Sequence, residues 1–173
     1  MKAILMSIQP KWCELIESWK KRVEVRKSAP QEVPFKAYIY QTKKRWIYKI
    51  LPSLKDRQAK VIGEFVCNKI EECIPDYNPV IQEFFYNEWE DSEASCLTAE
   101  EQSKYGKDKP LYGWHISDLK IYDKPKELSE FKKVCPMKNS DCAKCEFYSD
   151  YSGSCTNWLT RPPQSWCYVE ELC

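Results

Sequence analysis

Five cations crowd one short stretch of this chain. In "ESWKKRVEVRK", Glu17 to Lys27, the residues Lys20, Lys21, Arg22, Arg26 and Lys27 surround the single interior acid Glu24. The stretch alternates with a period of two, so Val23 and Val25 turn to a core while Arg22, Glu24 and Arg26 share the other face. A charged outer face is the default for an antiparallel strand. The helix-like run just before it is strongly apolar, however, so the charges should lie near the core. Arg22, Glu24 and Arg26 are therefore a candidate row of charges for a polar ligand, with a solvated strand as the plain alternative.

A second constellation is "CPMKNSDCAKCEFYSDYSGSC", which places Cys135, Cys142, Cys145 and Cys155 in a C-x6-C-x2-C-x9-C pattern. A C-x2-C pair lets two thiolates reach one ion from a single tight turn, and two more complete a tetrahedron. Structural zinc leads this reading, with free thiols and disulfides as the alternatives. Four thiolates would close the metal's shell, so the ion would be structural. His115 is the single histidine. With no second imidazole it reads as a hydrogen-bonded structural residue.

These groups must be positioned by a chain of 173 residues, enough for one domain with a real core. Apolar residues make up 43% and aromatics 14%, which argues against disorder. Lys and Arg number 27 against 26 Asp and Glu, for a net charge of +1. A nucleic-acid footprint must then be local. The N-terminal apolar run is too short for a signal peptide or anchor. No segment approaches the run of about 18 apolar residues that a transmembrane helix needs. The expectation is a soluble, cytoplasmic protein of unspecified oligomeric state.

"MKAILMSI" reads as a strand and "QPKWCELIESW" as a helix, with Pro10 in its first turn and Trp12, Leu15, Ile16 and Trp19 on one face. "RVEVRK", "PFKAYIYQT" and "KVIGEFVCNKI" read as strands, the last with Gly63 marking a bulge or a close approach. Residues 43–60 are basic and irregular. "NPVIQEFFYNEWED" and "LTAEEQSKYG" are expected as helices, the second with a capping box in Thr98 and Glu101 and Gly106 as a stop. "YGWHISDLKIYDKP" reads as a strand ended by Pro125, and "RPPQSWCYVEEL" as the last strand. The expected class is α+β: a small, mostly antiparallel β-barrel flanked by short helices. It forms a single domain over 1–173, with a Cys-rich, zinc-knuckle-like insertion at 132–157 before the last strand.

"SIQPKWCELIESWKKRVEVRK" resembles the N-terminal signature of ASCH domains in the PUA-like superfamily, a helix followed by G-x-K-x-x-E-x-R. Here that motif reads Trp19, Lys21, Glu24 and Arg26, with tryptophan replacing glycine. "KVIGEF", "YGWHISDLKIYDKPKELSEF" and "RPPQSWCYVEEL" resemble later core strands of phage- and prophage-type members. The resemblance covers residues 1–131 and 158–173. It implies a cleft for RNA or a modified, nucleotide-like ligand. Lys21 and Arg26 would hold phosphate or a base carbonyl, and Glu24 a base amino group. Tyr40, Trp114 and Trp166 are candidate stacking platforms, with core packing the alternative for each. Gln164 and Ser165 are candidate base-edge contacts or caps of the turn after Pro162 and Pro163.

Some relatives are amidohydrolases of acetylated cytidine that use a lysine, a threonine nucleophile and a glutamate. Lys21 matches the lysine, Glu24 stands at the threonine position, and Glu64 is the candidate glutamate. A hydrolase or ribonuclease would thus rest on Lys21 with Glu24 or Glu64, Glu24 serving as a general base on water. A phage or prophage interaction protein, docking through the cysteine knuckle, is the third reading.

Overall fold

The computed structural model describes residues 2–43, 57–86, 92–135, 148–149, 154–155 and 157–172. Its centre is a five-stranded sheet in the order β12-β1-β3-β4-β9. These strands are β1 (Lys2–Ile8), β3 (Phe35–Gln41), β4 (Lys60–Cys67), β9 (Ser117–Glu127) and β12 (Trp166–Val169). β1 and β3 run parallel, and the other pairings are antiparallel. Between β1 and β3 the chain builds helix α1 (Pro10–Glu17) and strand β2 (Val23–Arg26). β2 belongs to a three-stranded antiparallel sheet, order β2-β8-β5, with β5 (Ile70–Cys73) and β8 (Leu111–His115). A hairpin of β6 (Pro75–Asn78) and β7 (Glu83–Tyr86) follows β5, and helix α2 (Ala99–Gly106) comes after it. The short strands β10 (Tyr148–Ser149) and β11 (Ser154–Cys155) pair with each other.

Alternation on the central sheet buries both of its faces. Ile4, Met6, Ile8, Phe35, Ala37 and Ile39 pack with Cys13 and Ile16 of α1 and with Trp114 and Ile116. On the opposite face Ala3, Leu5, Tyr38, Tyr40 and Val61 pack with Phe131, Leu159 and Val169. Burying each Val, Leu, Ile, Phe or Met among them contributes roughly 1.5–3 kcal/mol. The scattered thiols Cys13, Cys67 and Cys73 are buried. Burial pushes the Cys67 thiol up to about 12.

Several expectations hold at the level of elements. Pro10 opens α1. Thr98 and Glu101 form the capping box of α2. Gly63 lies between two register shifts in β4, where an added Cβ would meet the Lys120 carbonyl oxygen at 2.5 Å. Gly106 is the last residue of α2, but the left-handed residue there is Lys107, at φ 62°. Glycine is needed at 106 because a Cβ would fall 1.9 Å from the Tyr86 hydroxyl.

Three expectations are corrected. The described part of "NPVIQEFFYNEWED" is the end of a hairpin and not a helix. Asn78 Oδ1 accepts from the Val80 N–H at 2.9 Å, Gln82 is left-handed, and Phe84 and Tyr86 share a strand face with Tyr77. Pro125 does not end β9, which runs to Glu127, because β9 is an edge strand and Pro125 falls in the register shift between Ile121 and Lys126, where prolines are tolerated. The sheets are also not closed into a barrel among the described residues. At Ile116 the chain leaves β8 in one sheet and enters β9 in the other, giving two open sheets in a mixed α+β fold. No described helix is long and apolar enough to cross a membrane.

Candidate functional site

The end of α1 sets the site. Trp19 N–H donates to the Ile16 carbonyl and Lys20 N–H to the Leu15 carbonyl, both at 2.9 Å, while Trp19 sits at φ 60°. This is a Schellman cap whose left-handed position usually carries glycine. Its side chain is 46% exposed and does not line the cleft. The cap reverses the chain so that Lys21 turns inward directly before β2.

All four residues of β2 are buried, so the charged face is covered as well as the valine face. One cover is the 3₁₀ turn Ser92–Ser95, onto which Arg22 N–H donates through the Ala94 carbonyl at 2.8 Å. Lys21, Glu24 and Arg26 are 2%, 5% and 7% exposed. Glu24 Oε1 accepts from Arg26 NH2 at 2.9 Å, and Oε2 lies 3.5 Å from Lys21 Nζ. Lys21 also donates to the Ser95 carbonyl at 2.5 Å and lies 5.0 Å from the Trp12 ring centroid. Burial lowers the Lys21 pKa below its ordinary value, and the Glu24 charge acts against that shift. Arg26 NH2 donates to the Ser7 carbonyl at 2.8 Å, and NH1 reaches Ser165 Oγ at 3.5 Å. Its Nε is buried without a hydrogen-bond partner among the described residues. The guanidinium thus keeps donor capacity beyond its protein contacts.

The three charges form the floor of a cleft of about 810 Å³. One wall is the carboxyl end of β1 with the start of α1, where Ser7, Gln9, Lys11 and Trp12 stand. Thr42 and Lys43, just past β3, extend it. The facing wall is α2, through Glu101, Lys104 and Tyr105, with Gln164 completing the lining. Five cations, Lys11, Lys21, Arg26, Lys43 and Lys104, line this space against the two carboxylates Glu24 and Glu101. A chain close to neutral overall therefore concentrates positive charge here.

Two aromatic rings stand in the walls. Trp12 has Lys11 Nζ at 4.2 Å from its ring centroid, and the half-exposed Tyr105 has Lys27 Nζ at 4.9 Å. Lys11 and Glu101 pair at 3.4 Å, linking the two helices. The Thr98 backbone N–H, with Lys11 adding to it, holds the Glu101 carboxyl below its usual range.

Lys21, Glu24, Arg26 and Gln164 thus meet in one cleft, and Ser165 stands behind Arg26. Other expected contacts fall elsewhere. Trp114 is fully buried, edge-on to Phe35 at 5.3 Å, and Tyr40 belongs to the core on the far face of the sheet. Neither presents a free ring, because the sheet is covered on both sides. Trp166 packs edge-on to Trp114 and Tyr168 and donates to Ser28 Oγ at 3.0 Å, outside the cleft lining. Glu64 accepts from the Tyr122 hydroxyl at 2.5 Å, also outside that lining. His115 Nε2 lies 3.2 Å from Glu71 and does not line the cleft.

Sequence reasoning missed Trp12, Lys11 and the α2 trio. Trp12 looked like one more member of an apolar helical face, and nothing local ties residues 101–105 to residues 21–26. Cys142, Cys145 and the side chain of Cys155 lie outside the described residues. Among the described residues no group of three or more His, Cys, Asp or Glu is placed to hold a metal ion.

The whole chain is similar to solved structures of the ASCH protein from Zymomonas mobilis. The protein itself matches at 17% identity and TM-score 0.52, over 98% of this chain and 89% of that one. A tyrosine-to-phenylalanine variant matches at 17% identity and TM-score 0.54, over 99% and 92%. A serine-to-alanine variant matches at 16% identity and TM-score 0.54, over 98% and 89%. The fold is therefore that of ASCH domain structures. No protein-family model matches the sequence, and neither does any curated protein.

Proposed function

We propose that the protein is an ASCH-type binding module that takes RNA or a nucleotide-like ligand into the cleft above Lys21, Glu24 and Arg26. The observation that carries this reading is a buried, mutually paired Lys–Glu–Arg floor under walls bearing a cationic excess and two aromatic rings. Structural side chains rarely include three charges buried together unless they are paired, and their pairing here still leaves Arg26 with spare donors. Trp12 and Tyr105 supply stacking surfaces suited to a base, and Lys11, Lys43 and Lys104 supply partners for phosphate. The cleft's size suits one or a few nucleotides rather than duplex, whose affinity rests on many phosphate contacts.

Binding of short single-stranded RNA and of mononucleotides, measured by fluorescence anisotropy and calorimetry, tests the proposal. Binding unchanged in Lys21→Ala, Arg26→Ala and Tyr105→Ala would leave it without support.

One observation favours a hydrolytic form of the same site. Burial favours the neutral amine of Lys21, the form able to take a proton, and Glu24 lies 3.5 Å away. Arg26 engages Glu24 Oε1, so a Lys21 that has given up its proton, and not the ion-paired Glu24, would be the base. Turnover of acetylated or otherwise modified nucleosides that is abolished in Lys21→Ala would establish this form.

A further inference from the structure

The β6–β7 hairpin bears five large apolar side chains exposed to solvent: Ile74 just before it, Tyr77, Val80, Ile81 and Phe85. Val80 and Ile81 at its tip are 88% and 59% exposed. The hairpin's base is fixed. The Tyr86 hydroxyl donates to the Lys109 carbonyl at 2.6 Å, and Ser103 Oγ donates to the Phe84 carbonyl at 2.6 Å, tying β7 to α2. Tyr77 and Phe84 brace each other across the strands, with ring centroids 5.0 Å apart. An apolar, anchored prong of this kind marks an interaction surface more often than a packing accident.

Charge specifies the partner. Residues 74–86, the hairpin with Ile74, carry two carboxylates and no Lys or Arg. On the hairpin itself Asp76 and Glu83 are exposed beside the apolar tip. Nucleic acid and anionic lipid would be repelled by such a surface. A two-fold contact between the hairpins of two copies would set like charges against each other.

We infer that the hairpin is a docking site for a cationic protein segment whose large apolar side chains cover Val80 and Ile81 at the tip and Phe85 on one face, while its lysines or arginines pair with Asp76 and Glu83 on that same face. This surface is separate from the cleft and does not depend on the ligand proposed there.

The probe is a synthetic peptide alternating lysine and leucine around one tryptophan, titrated into the isotopically labelled full chain and followed by amide chemical shifts. The same peptide with glutamate in place of each lysine is the control. The expected result is shifts concentrated at residues 74–85 with the cationic peptide alone. Affinity should weaken at least about tenfold in Val80→Ser/Ile81→Ser, and also in Asp76→Asn/Glu83→Gln. All four positions are exposed, and unchanged shifts outside the hairpin confirm that the variants fold. Shifts mapping elsewhere, equal binding of the acidic peptide, or indifference to both double variants would overturn the inference. Concentration-dependent self-association lost in Val80→Ser/Ile81→Ser would overturn it too, by making a second copy the occupant.

Discussion

Replacing Glu24 by glutamine removes one charge and almost no volume, so its cost measures the electrostatics of the cleft floor. Wild-type Glu24 compensates Arg26 at 2.9 Å and Lys21 at 3.5 Å, and all three residues are under 8% exposed. Without the carboxylate, two buried cations face each other. Breaking a buried ion pair by deleting one partner costs about 3–5 kcal/mol, against about 0.2–1 kcal/mol for an exposed pair. Glu24→Gln should therefore lose about 3–5 kcal/mol in urea denaturation at pH 7, read from the shift in midpoint at constant slope. Part of this loss should return when Lys21→Met removes one of the stranded cations. A double-mutant cycle between the two positions should give a coupling above about 1.5 kcal/mol. A loss in Glu24→Gln below about 1 kcal/mol would refute the reasoning, since these charges would then behave as a solvated surface pair.

Burial lowers the Lys21 pKa below the ordinary 10.5, so above that depressed value the unfolded chain binds this proton more tightly than the folded one. The Lys21 contribution to stability should then rise as pH climbs from the depressed pKa toward 10.5. The difference between wild type and Lys21→Met over that range isolates it from the tyrosines, and a flat or falling difference would contradict it. Trp19 holds a left-handed cap that glycine adopts without strain. Trp19→Gly should therefore stay within about 1 kcal/mol of wild type, while the β-branched Trp19→Val should cost more than about 1 kcal/mol. A large loss in the glycine variant alone would show that the ring matters more than the cap. The spacing of Cys135, Cys142, Cys145 and Cys155 predicts about one tightly held zinc per chain under reducing conditions. Metal analysis giving a ratio near zero would remove the zinc.

What was legible in the sequence depended on how local its cause was. The α2 capping box is written in Thr98 and Glu101, and the period-two pattern of β2 in Val23 and Val25. The same alternation pointed Glu24 and Arg26 away from the valines, but not toward water or protein. That choice depends on a turn about 70 residues later, where the Ser95 carbonyl meets Lys21. For Trp114 and Tyr40 the choice between stacking platform and core residue stayed open for a related reason. Alternation cannot distinguish a strand with one covered face from one with two, and here both faces carry a core. The helix expected from Asn78 failed because a repeat of apolar and polar residues over so short a run fits two periods. The Asn78 turn and the aromatic pairing across it decided for a hairpin.

The central claim is that the charged strand forms the floor of a cleft built for a nucleotide-like ligand. The most direct measurement is the affinity of the full chain for short single-stranded RNA and for mononucleotides, in wild type and in Tyr105→Ala. Tyr105 is half-exposed on the cleft wall, so its removal should leave the fold intact. The account predicts measurable binding that weakens by about 1–3 kcal/mol when this stacking surface is lost. Wild-type protein that binds neither RNA nor nucleotides, or binds them equally well without Tyr105, would contradict it.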